Sequence, residues 1–248
     1  MDSTTHTSTQ NGHPLVEAVC ELRFPGGGRW DWTIPGRLAD ALASEFPESE
    51  SPTGTVIEQT SGDAQTFVLP LTPPLVRLRR RDHSAMVQVG QPLLAINHFL
   101  SGYSWPNFRS LILRVNEEHA KLVGSSPVVR RGLRYINRFL LSNPESTGEE
   151  FVSILPRLNS SSWVPIQSSY QRIELDRQSP TGRLVIQTAL SVEPTGRSVV
   201  VDLDFGTASP LQVDELPLEK WLDAAHDCVK SAFGATLTYD VRQSLKLA

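Results

Sequence analysis

Arginines at even spacing in two segments of the chain form the pattern best suited to binding chemistry. Arg77, Arg79 and Arg81 share one face of a predicted strand, and Arg134 and Arg138 share a face of another. Rows of guanidinium groups can follow a phosphate backbone, and they can equally hold carboxylates in bidentate ion pairs. The chain carries 27 Asp+Glu against 23 Lys+Arg, a formal net charge of -4. This balance favours ion pairing over nucleic-acid binding, which stays an alternative.

Two tryptophans flank an aspartate in a predicted loop, Trp30-Asp31-Trp32. Tryptophan and arginine dominate the energetics of protein interfaces, so this loop is the best single marker of a partner-binding surface. Buried aromatic packing is nevertheless the default interpretation of tryptophans in such positions. The candidate binding surface predicted from the sequence comprises Trp30, Trp32, Arg77, Arg79, Arg81, Arg134 and Arg138.

Motifs of known enzyme classes are missing from the sequence. It contains neither a phosphate-binding Gly-x-x-x-x-Gly-Lys-Ser/Thr loop nor a Gly-x-Ser-x-Gly nucleophile elbow. Asp223, His226 and Asp227 could form a carboxylate-histidine cluster, but an exposed helix flank has the same pattern. Asp202 and Asp204 share a strand face, where solvent-facing acids are the favoured interpretation. We therefore predict no catalytic, metal or cofactor-binding residue, and an enzyme with an unrecognised site stays an alternative.

The composition is that of a globular protein, with 39% hydrophobic and 20% charged residues. No apolar run has the length of a membrane span, so no membrane association is expected. Residues 1–13 are rich in Ser, Thr and Gln and predict a disordered tail. Cys20 and Cys228 lie far apart within apolar patterns, which indicates buried thiols and a cytoplasmic location.

The first half of the chain, residues 14–126, predicts an α+β arrangement. It begins with an alternating strand, 14–24, whose Val16, Ala18, Cys20 and Leu22 face a core. A helix follows from Thr33 and is stopped by Pro47. A meander of short antiparallel strands and a long helix complete this half; the strands are predicted at 55–60, 66–71, 75–80, 85–89 and 93–99, and the helix at 105–123.

The second half, residues 127–248, repeats this order of elements. A long strand at 130–141, a short helical segment at 149–155, strands at 166–176, 184–192 and 199–205, and a closing helix at 218–233 are predicted. The sequence thus indicates curved antiparallel sheets packed by long helices. A duplicated β-α-β(3–4)-α unit, as in TATA-box-binding-protein-like and helix-grip folds, is our hypothesis for the architecture. It would bring Glu17 and Glu21 of the leading strand near Arg134 and Arg138.

Several segments of the chain resemble a sporadically distributed prokaryotic family of uncharacterised proteins of about this length. The most specific is the N-terminal run Pro14-Leu-Val-Glu-Ala-Val-Cys-Glu-Leu-Arg-Phe24. The others are Ile96-Asn-His-Phe99, Tyr103-Ser-Trp-Pro-Asn-Phe108 and Gly132-Leu-Arg-Tyr-Ile-Asn-Arg138. The resemblance implies a cytoplasmic protein without an established activity or cofactor. Its patchy distribution would suit an accessory, toxin–antitoxin or phage-defence role.

Two functions of different classes follow from the sequence. The favoured one is a non-enzymatic binding or regulatory module that recognises a protein partner through a sheet face or the Trp30-Asp31-Trp32 loop. The alternative is a nucleic-acid-binding module that uses the arginine-bearing strands. Salt dependence separates them, because phosphate neutralisation by several arginines makes affinity fall steeply with salt.

Overall fold

The computed structural model describes residues 14–25, 30–51, 53–60, 63–70, 75–99, 102–124, 127–141, 146–155, 166, 168–193, 196–207 and 216–245. The predicted tail, residues 1–13, lies outside the described residues. The helices are α1 (Ile34–Leu42), α2 (Trp105–Val123), α3 (Leu218–Thr236) and α4 (Tyr239–Ser244). The strands are β1 (Leu15–Arg23), β2 (Glu48–Glu50), β3 (Thr53–Thr60), β4 (Asp63–Pro70), β5 (Leu75–Arg79), β6 (Ala85–Gly90), β7 (Leu93–Phe99), β8 (Arg130–Leu141), β9 (Ser169–Gln178), β10 (Thr181–Glu193) and β11 (Gly196–Gly206).

The larger sheet has nine strands in the order β2-β5-β6-β7-β1-β8-β11-β10-β9, and β3 pairs with β4 in a separate two-stranded sheet. The pairs β2·β5, β5·β6, β6·β7, β8·β11, β10·β11 and β9·β10 are antiparallel. The fold is therefore α+β with an antiparallel sheet, as the sequence predicts. No helix among the described residues has the length and hydropathy of a membrane span.

Two compact units make up the chain. Of the described residues, the first unit contains those within 19–131 and 216–219, and the second unit contains those within 14–18, 132–207 and 220–245. The predicted division into halves at residues 126 and 127 stays a prediction.

The core of the first unit is formed by α1, α2 and the central strands. Apolar residues at helical spacing bury one face of each helix, including Leu38 on α1 and Ile112 on α2, both fully buried. Pro106 lies in the first turn of α2, where a missing N–H costs nothing. Gly124 ends this helix with a φ of 74° and donates its N–H to the carbonyl of Ala120. These signals explain why the observed and predicted bounds of α2 agree.

The core of the second unit lies between α3 and one face of β8, β10 and β11. Phe139 of β8 stacks on Phe151 and Phe233, with ring centroids 5.4 and 6.4 Å apart. Phe205 of β11 stacks on Trp221 of α3 at 6.3 Å. Aromatic pairs at these distances add to the hydrophobic burial that fixes α3 against the strands.

Three sequence predictions about these elements are wrong. Residues 149–151 and 153–154 form turns instead of a short helix, and Val152 makes an isolated bridge with Leu237. Val16 is 41% exposed, so the buried face of β1 begins only at Ala18. The strands predicted at 55–60 and 66–71 do not join the meander, because β3 and β4 form a hairpin sheet of their own.

Candidate binding surface

The Trp30-Asp31-Trp32 segment forms a hydrogen-bonded turn at the start of α1. The Asp31 carboxylate accepts hydrogen bonds from the Thr33 backbone N–H, at 2.7 Å, and from the Thr33 hydroxyl. The carbonyl of Asp31 accepts a further bond from the N–H of Ile34 at 3.2 Å. The Thr33 hydroxyl and N–H lower the pKa of the Asp31 carboxyl, since they stabilise its charged form. Such an aspartate turn fixes the backbone locally.

In this turn one tryptophan side chain is exposed to solvent and the other is partly buried. Trp32 is 68% exposed, more than any other large hydrophobic side chain in the described part of the protein. Trp30 is half-buried, and its indole N–H is buried without a hydrogen-bond partner among the described residues. Fully buried Ile34 and Leu38 anchor the helix that follows. A large aromatic surface is thus held outward on a preorganised backbone.

The arginines of β5 are paired with the edge strand β2. Arg79 donates to the Glu50 carboxylate at 2.7 Å, and a guanidinium nitrogen of Arg77 lies 3.5 Å from the same group. Arg77 also donates to Gln88 of β6 at 3.4 Å. The sequence prediction for Arg81 is wrong: β5 ends at Arg79, and Arg81 lies exposed in the turn that follows. Arg77 and Arg79 therefore lie together, and Arg81 leaves their face.

An open cavity of about 490 Å3 lies beside the turn that follows β5, and Glu45, Arg80, Arg81 and Asp82 form part of its lining. The Glu45 carboxylate accepts hydrogen bonds from Arg80 and from Arg114 of α2. The Arg80 guanidinium also lies over the Phe46 ring, 5.4 Å from its centroid. Arg80 is therefore already neutralised from within the chain, which leaves it poorly suited to an external phosphate.

The predicted arginines of β8 belong to the second unit, where Arg134 binds a buried carboxylate. Its Nε donates to Asp202 of β11 at 2.8 Å, and its terminal nitrogen donates to the second oxygen. This hydrogen bonding and charge raise the pKa of Arg134. Asp202 is only 7% exposed and also accepts from Gln187 of β10 at 3.3 Å. Arg138 is half-buried and engaged within the chain.

Two of these partners were not recognised in the sequence. The interpretation of Asp202 as a solvent-facing acid is wrong, because the side chain is buried under Arg134. Glu50 lies in a three-residue strand, Glu-Ser-Glu, that has no apolar alternation to reveal it. A signal was available in the spacing of the charges. Glu48 and Glu50 are two residues apart, as are Arg77 and Arg79, so the glutamates face the arginines when the two strands pair antiparallel.

The leading strand β1 lies beside β8 in the sheet, as the hypothesis of the duplicated unit requires. Glu21 binds Arg130 at 2.7 Å, not Arg134 or Arg138, and it also binds Arg23. Glu17 acts electrostatically on Arg134 and raises its pKa, as a minor contributor beside Asp202. The carboxylate of Glu21 is thus used in ion pairs, as the sequence indicates, although its partner across the strands is a different arginine.

His226 of α3 is held by a hydrogen bond to a tyrosine of β8. Its Nδ1 lies 2.9 Å from the Tyr135 hydroxyl, and burial lowers the pKa of the imidazole. The charges of Asp227 and Asp223, on the same helix, oppose this effect with smaller contributions that raise the pKa. Within the described ranges, no group of three or more His, Cys, Asp or Glu side chains is arranged to hold a metal ion.

Comparison of the chain with models of known protein families gives no match, and a search of curated proteins gives no significant match either.

Proposed function

We propose that this chain is a non-enzymatic binding module that recognises a protein partner, with Trp32 as the anchor of the contact. The observation that carries the proposal is the 68% exposure of Trp32 on a turn fixed by Asp31. Side chains and loops normally lose conformational entropy when they become ordered on binding, and a turn that is already ordered reduces this loss. An exposed tryptophan on such a turn has the properties of an interface hot spot.

The nucleic-acid alternative has less support from the arginine rows. Arg77 and Arg79 share Glu50, and Arg134 is bound bidentately to Asp202. Phosphate binding would have to compete with these carboxylates. It would also leave Asp202 buried without its cation, which is a costly state.

The hypothesis of a duplicated unit rests on the order of elements. In the first run β1 leads and the 19-residue helix α2 closes, and in the second run β8 leads and the 19-residue helix α3 closes. The turns at 149–151 and 153–154, where the first run has α1, weaken the correspondence. This comparison concerns fold alone and assigns no function. We place the module in the cytoplasm on the basis of its two buried free cysteines, Cys20 and Cys228.

Affinity capture from the native host tests the proposal. The bait proteins are the wild type, Trp32→Ala and Tyr239→Ala, the last being a control because Tyr239 is a similarly exposed aromatic, at 66%. We expect a protein that is retained by the wild type and by Tyr239→Ala, with or without nuclease, and lost by Trp32→Ala. Loss of the partner on nuclease treatment, or equal retention by all three baits, would contradict the proposal.

A further inference from the structure

Strand β9 lies at one end of the nine-stranded sheet. Its Ser169–Gln178 are antiparallel to β10, and no other strand among the described residues pairs with it. An edge of this length offers a row of backbone N–H and C=O groups to a further strand. Tyr170 and Leu175 are 64% and 45% exposed along it, so the edge also presents apolar surface.

The side chains of β9 alternate in a way that limits which strand can be added. Arg172, Glu174 and Asp176 lie on the face opposite that of Ile173 and Leu175. Arg172 and Glu174 already form an ion pair with each other at 2.8 Å. Both charges are exposed, so each can also be reached by a charge on a neighbouring chain.

We propose that β9 pairs with β9 of a second copy of this chain, in antiparallel register about a twofold axis at Ile173. In this register Arg172 of each copy lies directly opposite Glu174 of the other, and the two Ile173 side chains meet. Opposite charges at directly facing positions stabilise antiparallel pairs. A twofold contact of this kind is self-complementary and closes as a dimer.

Most neighbouring registers place like charges opposite each other. An axis at Arg172 places two arginines opposite each other, and an axis at Glu174 or Asp176 does the same for two carboxylates. An axis at Leu175 places Glu174 opposite Asp176 twice. An axis at Gln171 avoids repulsion but shortens the paired segment. Only the axis at Ile173 aligns Ser169–Arg177 of both copies with no like charges opposed, and like charges directly opposite are destabilising.

Sedimentation equilibrium over a range of concentrations tests this register. We expect a dimer for the wild type, and a dissociation constant raised about tenfold or more by Arg172→Glu, which places like charges at both symmetric positions. The exchange Arg172→Glu with Glu174→Arg restores both pairs and should recover the wild-type dissociation constant. Arg177→Glu is the matched control, because Arg177 faces only Ser169 and the constant should change less than about twofold.

A cysteine experiment decides the same question without altering charge. Ile173→Cys brings two thiols to directly opposite positions on the axis, where Cβ atoms are about 5 Å apart and a disulfide is within reach. Leu175→Cys separates the thiols by about 13 Å along the strands. Mild oxidation should link Ile173→Cys dimers rapidly and leave Leu175→Cys and the wild type unlinked. A monomeric wild type, equal dissociation constants for Arg172→Glu and Arg177→Glu, or equal linking of both cysteine variants would overturn the proposal.

Discussion

Replacing His119 by phenylalanine should make the protein less sensitive to acid. His119 lies on α2 and is 2% exposed, and its Nε2 has no hydrogen-bond partner in the described part of the chain. Its ring lies 5.1 Å from the Phe24 ring, so the surroundings are apolar and aromatic. Burial lowers the pKa of this imidazole from 6.5 to about 4, because the charged form loses its hydration.

The magnitude follows from the two pKa values. Between about pH 6.5 and pH 4 the imidazole of His119 is protonated in the unfolded chain but neutral in the folded protein. Protonation therefore does not affect the free energy of unfolding above about pH 6.5, and it lowers that free energy progressively as the pH falls toward 4. At about 1.4 kcal/mol for each unit of pKa, the loss at this residue reaches about 2 to 3 kcal/mol between about pH 7.5 and pH 4.5.

Urea unfolding of the wild type and of His119→Phe at these two pH values measures the effect. At the higher pH we expect equal or greater stability for the variant, since an unpaired buried nitrogen is removed. At the lower pH the variant should exceed the wild type by a further amount of about 2 to 3 kcal/mol. Burial also lowers the pKa of His98 and His226, but both remain in the variant and cancel in the comparison. Equal losses of stability by the two proteins between these pH values would show that the buried imidazole of His119 does not cause the acid sensitivity.

Three other experiments test the packing and pairing of the second unit by urea unfolding. Leu222→Ala, at a fully buried position of α3, should cost about 2 to 5 kcal/mol, and a cost under about 1 would place this side chain outside the core. Gly182→Ala should destabilise the protein by about 1 to 3 kcal/mol, because the added Cβ would lie 2.5 Å from a backbone oxygen of β11. Gly234→Ala on α3 adds a Cβ that meets no atom within 4 Å, so it should stabilise the protein by about 0.5 to 1 kcal/mol. Equal effects of the two substitutions would contradict both expectations. A double-mutant cycle between Arg134 and Asp202 should give a coupling of about 1 kcal/mol, reduced by the 44% exposure of the arginine, and zero coupling would rule out the ion pair.

The elements that agree best with the sequence predictions are those with long periodic patterns. The bounds of α2 and β8 match because each combines an uninterrupted apolar period with clear end signals, such as Gly124 after α2. The prediction of a helical segment at 149–155 was wrong because so short a segment carries too little periodicity to distinguish a helix from turns. Strand β2 was missed since its three residues have no apolar member, and its pairing with β5 supplies what the local sequence does not.

The candidate surface was predictable in residue type but not in pairing. Alternation places arginines on one face of a strand, yet which carboxylate they meet depends on strand register, which local sequence does not encode. Glu21 therefore binds Arg130 where Arg134 or Arg138 was expected, and Arg134 binds Asp202. The exposure of Trp32 was also beyond local sequence, because a tryptophan in a loop packs inward or outward according to tertiary context.

Calorimetry with the captured partner over a salt series measures whether Trp32 anchors a contact with a protein. If Trp32 anchors a protein partner, Trp32→Ala should weaken binding about thirtyfold or more while Tyr239→Ala leaves it unchanged. The wild-type affinity should then vary little with salt. Equal affinities for wild type and Trp32→Ala, or an affinity that falls steeply with log salt as phosphate neutralisation requires, would show that Trp32 does not anchor a protein partner.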